Sequence, residues 1–283
     1  MAVQTQHMRP SFFIIGANKC GTSSLYRYLL ANPRVLPCAK KEPNFFGRHS
    51  ADYIADHIDE YFSLFPTCDY RGPLSFVWEA SDEAGTSNPT TIVIPRRPDS
   101  HYITGEASAN TFHDVAPLLL HRYLPETNLI ILLRNPVDRA YSHHRMYQRF
   151  RDAGHDLGME VSDFATDIRA EMAAHEQGER TEYLGPGIYV ELLRGWIATY
   201  GENRVKVFFT EDLARLRTAR QIMLELENHL GLPRHDYADI LTRRFNHAKP
   251  ASMDPATRSA LVAFYRPHNA RLQEYLGRES HWD

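Results

Sequence analysis

Two glycines bracket a short segment that contains a lysine, and this residue pattern suits the binding of phosphate. Residues 12–25 read FFIIGANKCGTSSL, so four residues separate Gly16 from Gly21. A turn of this kind directs backbone N–H groups and the positive end of the next helix at one point, which suits an anionic phosphate. Lys19 is the candidate cation of the loop. The other candidate donors are Cys20, Gly21, Thr22 and Ser23.

The lysine distinguishes this segment from the phosphate loop of an ATPase. Gly16 and Gly21 have the spacing of G-x-x-x-x-G-K-[ST], but Thr22 stands where that motif has its lysine. ATPases also follow another strand with an Asp that helps to hold Mg²⁺, whereas strand 128–133 is followed by Arg134. A cation there favours direct neutralisation of phosphate charge, so we expect no metal ion. A tight turn with a solvated lysine is the alternative interpretation.

A second candidate phosphate site combines Arg134 with Ser142. Arg134 follows the candidate strand, and Ser142 lies eight residues further on in the helix that begins near Pro136. Proline is well tolerated in the first turn of a helix. The guanidinium offers a planar fork to phosphate oxygens, and the serine adds a hydroxyl from the same helix. The alternative is an arginine that caps its own helix and a serine on the surface.

The elements that would position these loops alternate along the chain. Buried strands are predicted at residues 11–15, 128–133 and 204–209, with a weaker candidate at 102–104. Helical patterns cover residues 22–31, 115–123, 136–150, 161–177, 189–200, 213–230 and 255–276. Strands separated by helices predict an α/β fold, with a central parallel sheet flanked by helices on both faces.

One long stretch interrupts this alternation. Residues 71–101 are rich in Pro, Gly, Ser and Thr and show weak periodicity. Loops of this length in a compact domain are usually functional, so we expect a substrate-facing loop or lid. The sequence shows no internal repeat and no linker, so residues 1–283 are predicted to form a single domain.

Composition excludes several classes of function. Lys and Arg number 32 against 35 Asp and Glu, a net charge of −3 that gives no support to nucleic-acid or anionic-membrane binding. The cysteines, Cys20, Cys38 and Cys68, have no metal-like spacing and are odd in number, which disfavours a disulfide framework. The first residues lack the pattern of a signal peptide, and the apolar run 129–133 is too short to span a bilayer. We expect a reduced, soluble, cytoplasmic protein.

The two loops together resemble those of the sulfotransferases that use 3′-phosphoadenosine-5′-phosphosulfate (PAPS), above all the heparan-sulfate-type and related bacterial branch. Residues 40–46, KKEPNFF, look like the family's Lys-Glu-x-x-Phe-Phe segment. Residues 187–213 resemble its Gly-x-Tyr, Trp and Glu-Asp-Leu block, and residues 264–282 resemble its C-terminal helix. These motifs occur in the family's order and cover nearly the whole chain.

The resemblance implies a single P-loop-like domain and a mechanism. The first loop would hold the 5′-phosphosulfate of PAPS, Arg134 and Ser142 would hold its 3′-phosphate, and Lys19 would stabilise the leaving phosphate. Glu42 would be the general base that removes a proton from a hydroxyl or amine of a small-molecule or glycan acceptor. The products would be the sulfated acceptor and 3′-phosphoadenosine-5′-phosphate (PAP), formed without a metal.

The acceptor side is less defined by the sequence. Glu106 and His113 are candidates to line the acceptor pocket. Two positions depart from the family pattern, since Ala107 replaces a lysine and Asn44 stands where many members have histidine. Arg96 and Arg97 are candidates to replace the missing cation. The alternative functions are a P-loop nucleotide kinase and a non-catalytic PAP-binding protein, and the sequence does not indicate an oligomeric state.

Overall fold

The computed structural model describes residues 6–70, 74–81, 87–94, 101–243, 245, 252–280 and 282, with the backbone alone for 74–81 and 87–94. Its strands are β1 (Phe12–Gly16), β2 (Val35–Pro37), β3 (Leu74–Ser81), β4 (Ser87–Ile94), β5 (Ile103–Ala107), β6 (Asn128–Leu133) and β7 (Val205–Phe209). Its helices are α1 (Thr22–Ala31), α2 (Phe45–Arg48), α3 (Ala51–Ser63), α4 (Thr111–Asp114), α5 (Pro117–Tyr123), α6 (Pro136–Asp152), α7 (Phe164–Glu176), α8 (Tyr189–Tyr200), α9 (Thr210–Leu213), α10 (Leu216–Leu230), α11 (Ala238–Leu241) and α12 (Pro255–Leu276).

A five-stranded sheet in the order β2-β5-β1-β6-β7 forms the centre of the fold. Every neighbouring pair in it is parallel, with Phe12 opposite Gly105 on one side and Asn128 on the other. All residues of β1 and β5 are buried, as expected for a parallel sheet that is covered on both faces. The predicted fold class is confirmed.

The connections between strands distribute the helices over the two faces. The chain leaves β1 towards β2 on one side and leaves β6 towards β7 on the other. Because such crossovers are right-handed, opposite directions place the helices on opposite faces. The contacts agree: α1 meets α11, which meets α10, whereas α8 meets α5 and α12. The loops after β1 and β6 therefore diverge, and ligands of open α/β sheets bind in the crevice between such loops.

A large apolar core surrounds the sheet, and a smaller cluster lies between α6, α7 and α12. Trp196 of α8 is fully buried in the large core and donates its indole N–H to the Phe112 carbonyl at 3.1 Å. The smaller cluster contains Val137 of α6, Ile168 of α7 and Tyr265 of α12. The small cluster matters for the site because it fixes α6, which carries Ser142.

Several predicted elements are confirmed, and others differ for identifiable reasons. The helices predicted at 22–31, 189–200 and 255–276 and the strand at 128–133 have the predicted bounds. The helix predicted over 115–123 begins only at Pro117, because Ala116, which precedes the proline, is extended, as residues before proline tend to be. Strand β2 and helix α3 were missed. Within 71–101, β3 and β4 form an antiparallel hairpin instead of a loop.

Two further findings concern the environment of the chain. Among the helices of the described ranges, none combines the length and the apolar character needed to cross a bilayer. Cys20, Cys38 and Cys68 are free thiols, and the first two are buried. A cytoplasmic location and a substrate-facing role of residues 71–101 stay predictions.

Candidate active site

The loop between β1 and α1 ends in a left-handed glycine directly before the helix. Gly21 has φ 87°, a left-handed conformation that glycine adopts freely, and α1 begins at the next residue. A Cβ atom on Gly16 would lie 2.4 Å from Cβ of Phe112, so the start of the loop also requires glycine. The N–H groups of Gly21, Thr22 and Ser23 have no acceptor within the helix, as at any helix N-terminus. That of Cys20 instead donates to the Ala17 carbonyl at 3.1 Å, so it closes the turn.

Lys19 is a half-buried cation whose ammonium group lies against a thioether. It has φ 68°, and its Nζ lies 3.3 Å from Sδ of Met146 on α6. A thioether is only a weak acceptor. Burial, followed by the positive charge of Arg149, lowers the pKa of Lys19 to about 8. Glu42 opposes this shift, while Arg134 adds to it.

The two predicted phosphate loops touch each other. Nη1 of Arg134 donates to the Lys19 carbonyl at 3.2 Å, so the residue that follows β6 reaches the loop that follows β1. Ser142 is half-buried on α6, four residues before Met146. Side chains at this spacing share a helix face, which places Ser142 on the face that reaches Lys19.

Two residues to which we assigned no role bind both loops to their surroundings. Oγ1 of Thr210 lies 2.6 Å from the Cys20 carbonyl and 3.1 Å from the Leu133 carbonyl. The Tyr189 hydroxyl donates to the Arg134 carbonyl at 2.9 Å, and it lies 3.9 Å from Sγ of Cys20. Tyr189 belongs to the Gly-x-Tyr motif, but its function as a link is visible only once the loops are in place.

The start of α6 is fixed independently. Asn135 caps the helix by accepting the Val137 N–H at 3.0 Å, and its own N–H donates to Oε1 of Glu211 at 3.0 Å. Its side-chain amide also donates to the Trp282 carbonyl at 3.2 Å. Arg134 therefore stands at a junction between β6, α6, α9 and the end of the described chain.

Glu42 lies in a turn between β2 and α2. Oε1 accepts a hydrogen bond from Nζ of Lys41 at 2.7 Å, and the side chain is 35% exposed. Glu42 interacts electrostatically with Lys19, so the structure brings the predicted base and the predicted cation into one site. The surrounding charges of Lys41, Arg134 and Arg149 leave this site positive, which suits an anionic ligand.

Comparison with known proteins places these loops in a family. The model of the sulfotransferase family matches residues 10–192, a range that includes both loops and the Glu42 turn. The chain belongs to the sulfotransferase family. This confirms the family predicted from the five motifs.

The relatives of this protein include sulfotransferases whose names specify carbohydrate substrates. Human carbohydrate sulfotransferase 15 is 27% identical over 96% of this chain and 54% of its own length. Human bifunctional heparan sulfate N-deacetylase/N-sulfotransferase 3 is 26% identical over 94% of this chain and 30% of its own length. The chain thus spans about half or less of the curated relatives that it matches. The crystal structure of a sulfotransferase from Alicyclobacillus acidocaldarius superimposes with a TM-score of 0.65, at 27% identity, over 97% of this chain and 98% of that one.

The predicted acceptor residues are more buried than expected. Glu106 is 1% exposed, and burial raises its pKa to about 7. Both ring nitrogens of His113 are buried, and burial beside Arg139 lowers its pKa to about 3, so the ring is neutral. Their polar atoms therefore point away from solvent, and acceptor contact stays a prediction for both. Arg96 and Arg97 lie outside the described residues.

The site contains no evident metal-binding group. In the part of the chain that the structure describes, no three His, Cys, Asp or Glu side chains are arranged to hold an ion. His143 and His144, which are adjacent on α6, are both buried. Burial, followed by the charge of Arg139, lowers the pKa of His143 to about 2. Nε2 of His144 lies 3.0 Å from Asp167, so this pair packs within the fold.

Proposed function

We propose that this protein transfers the sulfuryl group of PAPS to a hydroxyl or amine of a carbohydrate acceptor and releases PAP. The observation that carries the proposal is that Lys19 interacts both with Arg134 and with Glu42. Two cations that follow separate strands thus touch through the backbone of Lys19, and the Lys19 charge interacts with a partly exposed carboxylate. This arrangement supplies charge for an anionic donor on one side and a proton acceptor on the other.

The residues present fit a donor with two separate phosphate groups. The first turn of α1 offers the N–H groups of Gly21, Thr22 and Ser23 together with two hydroxyls, which suit the 5′-phosphosulfate. Arg134 and Ser142 lie towards α6 and suit the 3′-phosphate, because a guanidinium can donate two parallel hydrogen bonds to one phosphate. The fit requires only that Arg134 exchange its bond with the Lys19 carbonyl for a bond with phosphate.

Lys19 would act on the leaving group. Transfer breaks the bond between sulfur and the bridging oxygen of the 5′-phosphate, and negative charge accumulates on that oxygen. A cation fixed beside this oxygen interacts with it more strongly in the transition state than in the ground state, and this difference lowers the activation barrier. With a pKa of about 8, Lys19 carries its charge at neutral pH and is also able to donate a proton.

Glu42 would act on the acceptor. The new bond forms between the acceptor oxygen or nitrogen and sulfur, and the acceptor proton passes to a Glu42 oxygen. Such general-base assistance typically contributes about 10²–10⁴-fold. The bond from Lys41 at 2.7 Å holds one oxygen of Glu42 in place, while the partial exposure of the side chain leaves it open to an acceptor.

The relatives support a carbohydrate as the acceptor. Their names specify carbohydrate and heparan sulfate, and these substrates carry hydroxyls and, after deacetylation, amines. The proposal is tested by incubating the purified protein with PAPS and a panel of acceptors. The panel contains heparan sulfate, its N-deacetylated form, an unsulfated glycan and simple phenols, with PAP release and acceptor sulfation both measured. Sulfation of a glycan supports the proposal. Sulfation of phenols alone would contradict the carbohydrate acceptor, and no transfer to any acceptor would contradict the activity.

A further inference from the structure

The carboxylate of Glu106 is the centre of a buried hydrogen-bond network at the end of β5. Oε1 accepts the Tyr61 hydroxyl of α3 at 2.8 Å, and Oε2 accepts the Ser108 hydroxyl at 2.6 Å. Glu106 is 1% exposed and Ser108 is fully buried. An ionised carboxylate only accepts hydrogen bonds. Above its pKa of about 7, Glu106 therefore receives the Ser108 hydrogen, and the lone pairs of the Ser108 oxygen face away.

The network continues from Ser108 to the turn that carries Glu42. Oγ of Ser108 accepts the backbone N–H of Asn44 at 3.0 Å. The Asn44 side chain in turn donates to the Glu42 carbonyl at 3.1 Å. Glu42 and Asn44 both have φ 50°, a left-handed conformation that is uncommon outside glycine. Residues held in this way persist only where the surrounding structure fixes them.

A purely structural role does not explain a carboxylate at this place. Burial raises the pKa of Glu106 to about 7, and the nearby charge of Glu42 raises it further. A neutral amide of the same shape has one accepting oxygen, so its NH2 group would have to donate to Tyr61 or to Ser108, whereas an ionised carboxylate accepts from both hydroxyls. The carboxylate therefore keeps the Ser108 hydroxyl directed at Glu106, which leaves the Ser108 oxygen to accept the Asn44 N–H.

We propose that Glu106 is a positioning residue that acts through Ser108 and Asn44 to hold Glu42 in its left-handed turn, facing Lys19. The inference rests on the function proposed above, in which Glu42 is the general base. It also gives Glu106 a place behind the turn that carries Glu42, instead of a place in the acceptor pocket. Loss of the link at Ser108 would release the turn without disturbing the loops that bind PAP.

The test compares Ser108→Ala with a matched control, Tyr61→Phe. The first variant removes the acceptor of the Asn44 N–H, whereas the second removes the other hydrogen bond of Glu106 and leaves the link to Asn44 intact. Deuterium uptake of the peptide covering residues 40–46 reports on the turn, calorimetry reports PAP affinity, and PAP release reports kcat. The first two readouts do not depend on any transfer activity.

The expected result for Ser108→Ala is faster deuterium uptake in residues 40–46 and a kcat lower by roughly 10–100-fold, the size of effect that a misplaced catalytic group produces. PAP affinity should change by less than about twofold, since the phosphate loops are untouched, and Tyr61→Phe should keep kcat within about threefold. The proposal would be overturned if Ser108→Ala left deuterium uptake or kcat unchanged. It would also be overturned if kcat and PAP affinity fell together in both variants.

Two further outcomes keep the inference separate from the proposed function. If Ser108→Ala does not fold, Glu106→Gln takes its place. A kcat at least about fivefold below that of Tyr61→Phe then supports the positioning role, and equal values overturn it. If the wild-type protein transfers no sulfuryl group, the proposed function fails. The uptake of residues 40–46 in the variants still decides whether Glu106 holds the turn.

Discussion

The guanidinium of Arg134 donates to the backbone carbonyl of Lys19 at 3.2 Å. This contact joins the loops at the ends of β1 and β6, which are the two strands between which the chain changes direction in the sheet. Because the loops diverge there, their N–H groups and cations face one crevice. The guanidinium of Arg134 is thereby held against the first loop, while the Lys19 ammonium lies against Met146 of α6.

The charge of Lys19 predicts how PAP affinity depends on pH. Lys19 has a pKa of about 8, lowered chiefly by burial, so the free protein loses this charge as pH rises through 8. An anion binds the protonated form better, and PAP affinity should therefore fall above pH 8, by up to about tenfold per pH unit. Calorimetric titration with PAP between pH 6.5 and pH 9.5 measures this. Lys19→Arg is the control, because arginine keeps its charge and should give a flatter profile. Equal profiles for the two proteins would contradict the role of Lys19.

Thr210 should contribute to PAP affinity without touching PAP. Its hydroxyl lies within hydrogen-bond distance of the Cys20 and Leu133 carbonyls, so it holds the phosphate loop against the end of β6. Thr210→Val removes the hydroxyl at nearly constant shape, and one hydrogen bond is worth about 0.5–1.5 kcal/mol. PAP should bind roughly 2–10-fold more weakly, while Thr210→Ser should bind it as the wild type does. If valine and serine variants bind equally, the loop does not depend on this link.

Glu42→Gln separates an enzyme from a protein that only binds PAP. The amide oxygen can still accept the hydrogen bond of Lys41, but the side chain no longer accepts a proton. Turnover should fall by about 10²–10⁴-fold, and PAP affinity should stay within about twofold because the phosphate loops are unchanged. PAP release and calorimetry measure the two quantities. Glu202→Gln, at an exposed position before β7, is the control and should change neither. Full turnover by Glu42→Gln would remove Glu42 from the mechanism.

Glu106 should make the stability of the fold depend on pH. Its folded pKa of about 7 lies above the ordinary value of 4.5 because of burial. Between these values the folded state binds more protons than the unfolded state, so the free energy of unfolding falls as pH rises. Glu106→Gln should reduce that fall by up to roughly 3 kcal/mol between pH 4.5 and pH 7. Urea denaturation across this range measures it, and an identical slope in both proteins would contradict a buried, titrating Glu106.

The sequence was sufficient for features that depend on local pattern. The glycine-bracketed loop and the cation at Arg134 follow from residue types at the ends of strands, and these ends meet at one edge of a parallel sheet. The order of the motifs predicted the family. Helix α12 was predictable because Asp254 and Pro255 mark its start, and Gly277 marks its end.

The links between distant elements were not predictable from local pattern. Thr210 and Tyr189 contact the loops from positions at least 55 residues away in the chain, and nothing near them in the sequence specifies those partners. Glu106 was predicted to line the acceptor pocket because a carboxylate follows a predicted strand, and that contact stays a prediction. Its burial depends on Tyr61 of α3, a helix that the sequence analysis missed. Long-range packing therefore determines that the Glu42 carboxylate is partly exposed and the Glu106 carboxylate is buried.

The most direct test of the central claim is a calorimetric titration of the protein with PAP, with and without EDTA, beside a titration with ATP and Mg²⁺. The crevice between Lys19 and Arg134 predicts tight PAP binding that EDTA leaves unchanged and that Lys19→Ala or Arg134→Ala weakens. ATP with Mg²⁺ should compete poorly for the same site. No PAP binding, or binding of ATP only in the presence of Mg²⁺, would contradict the account and favour a nucleotide kinase.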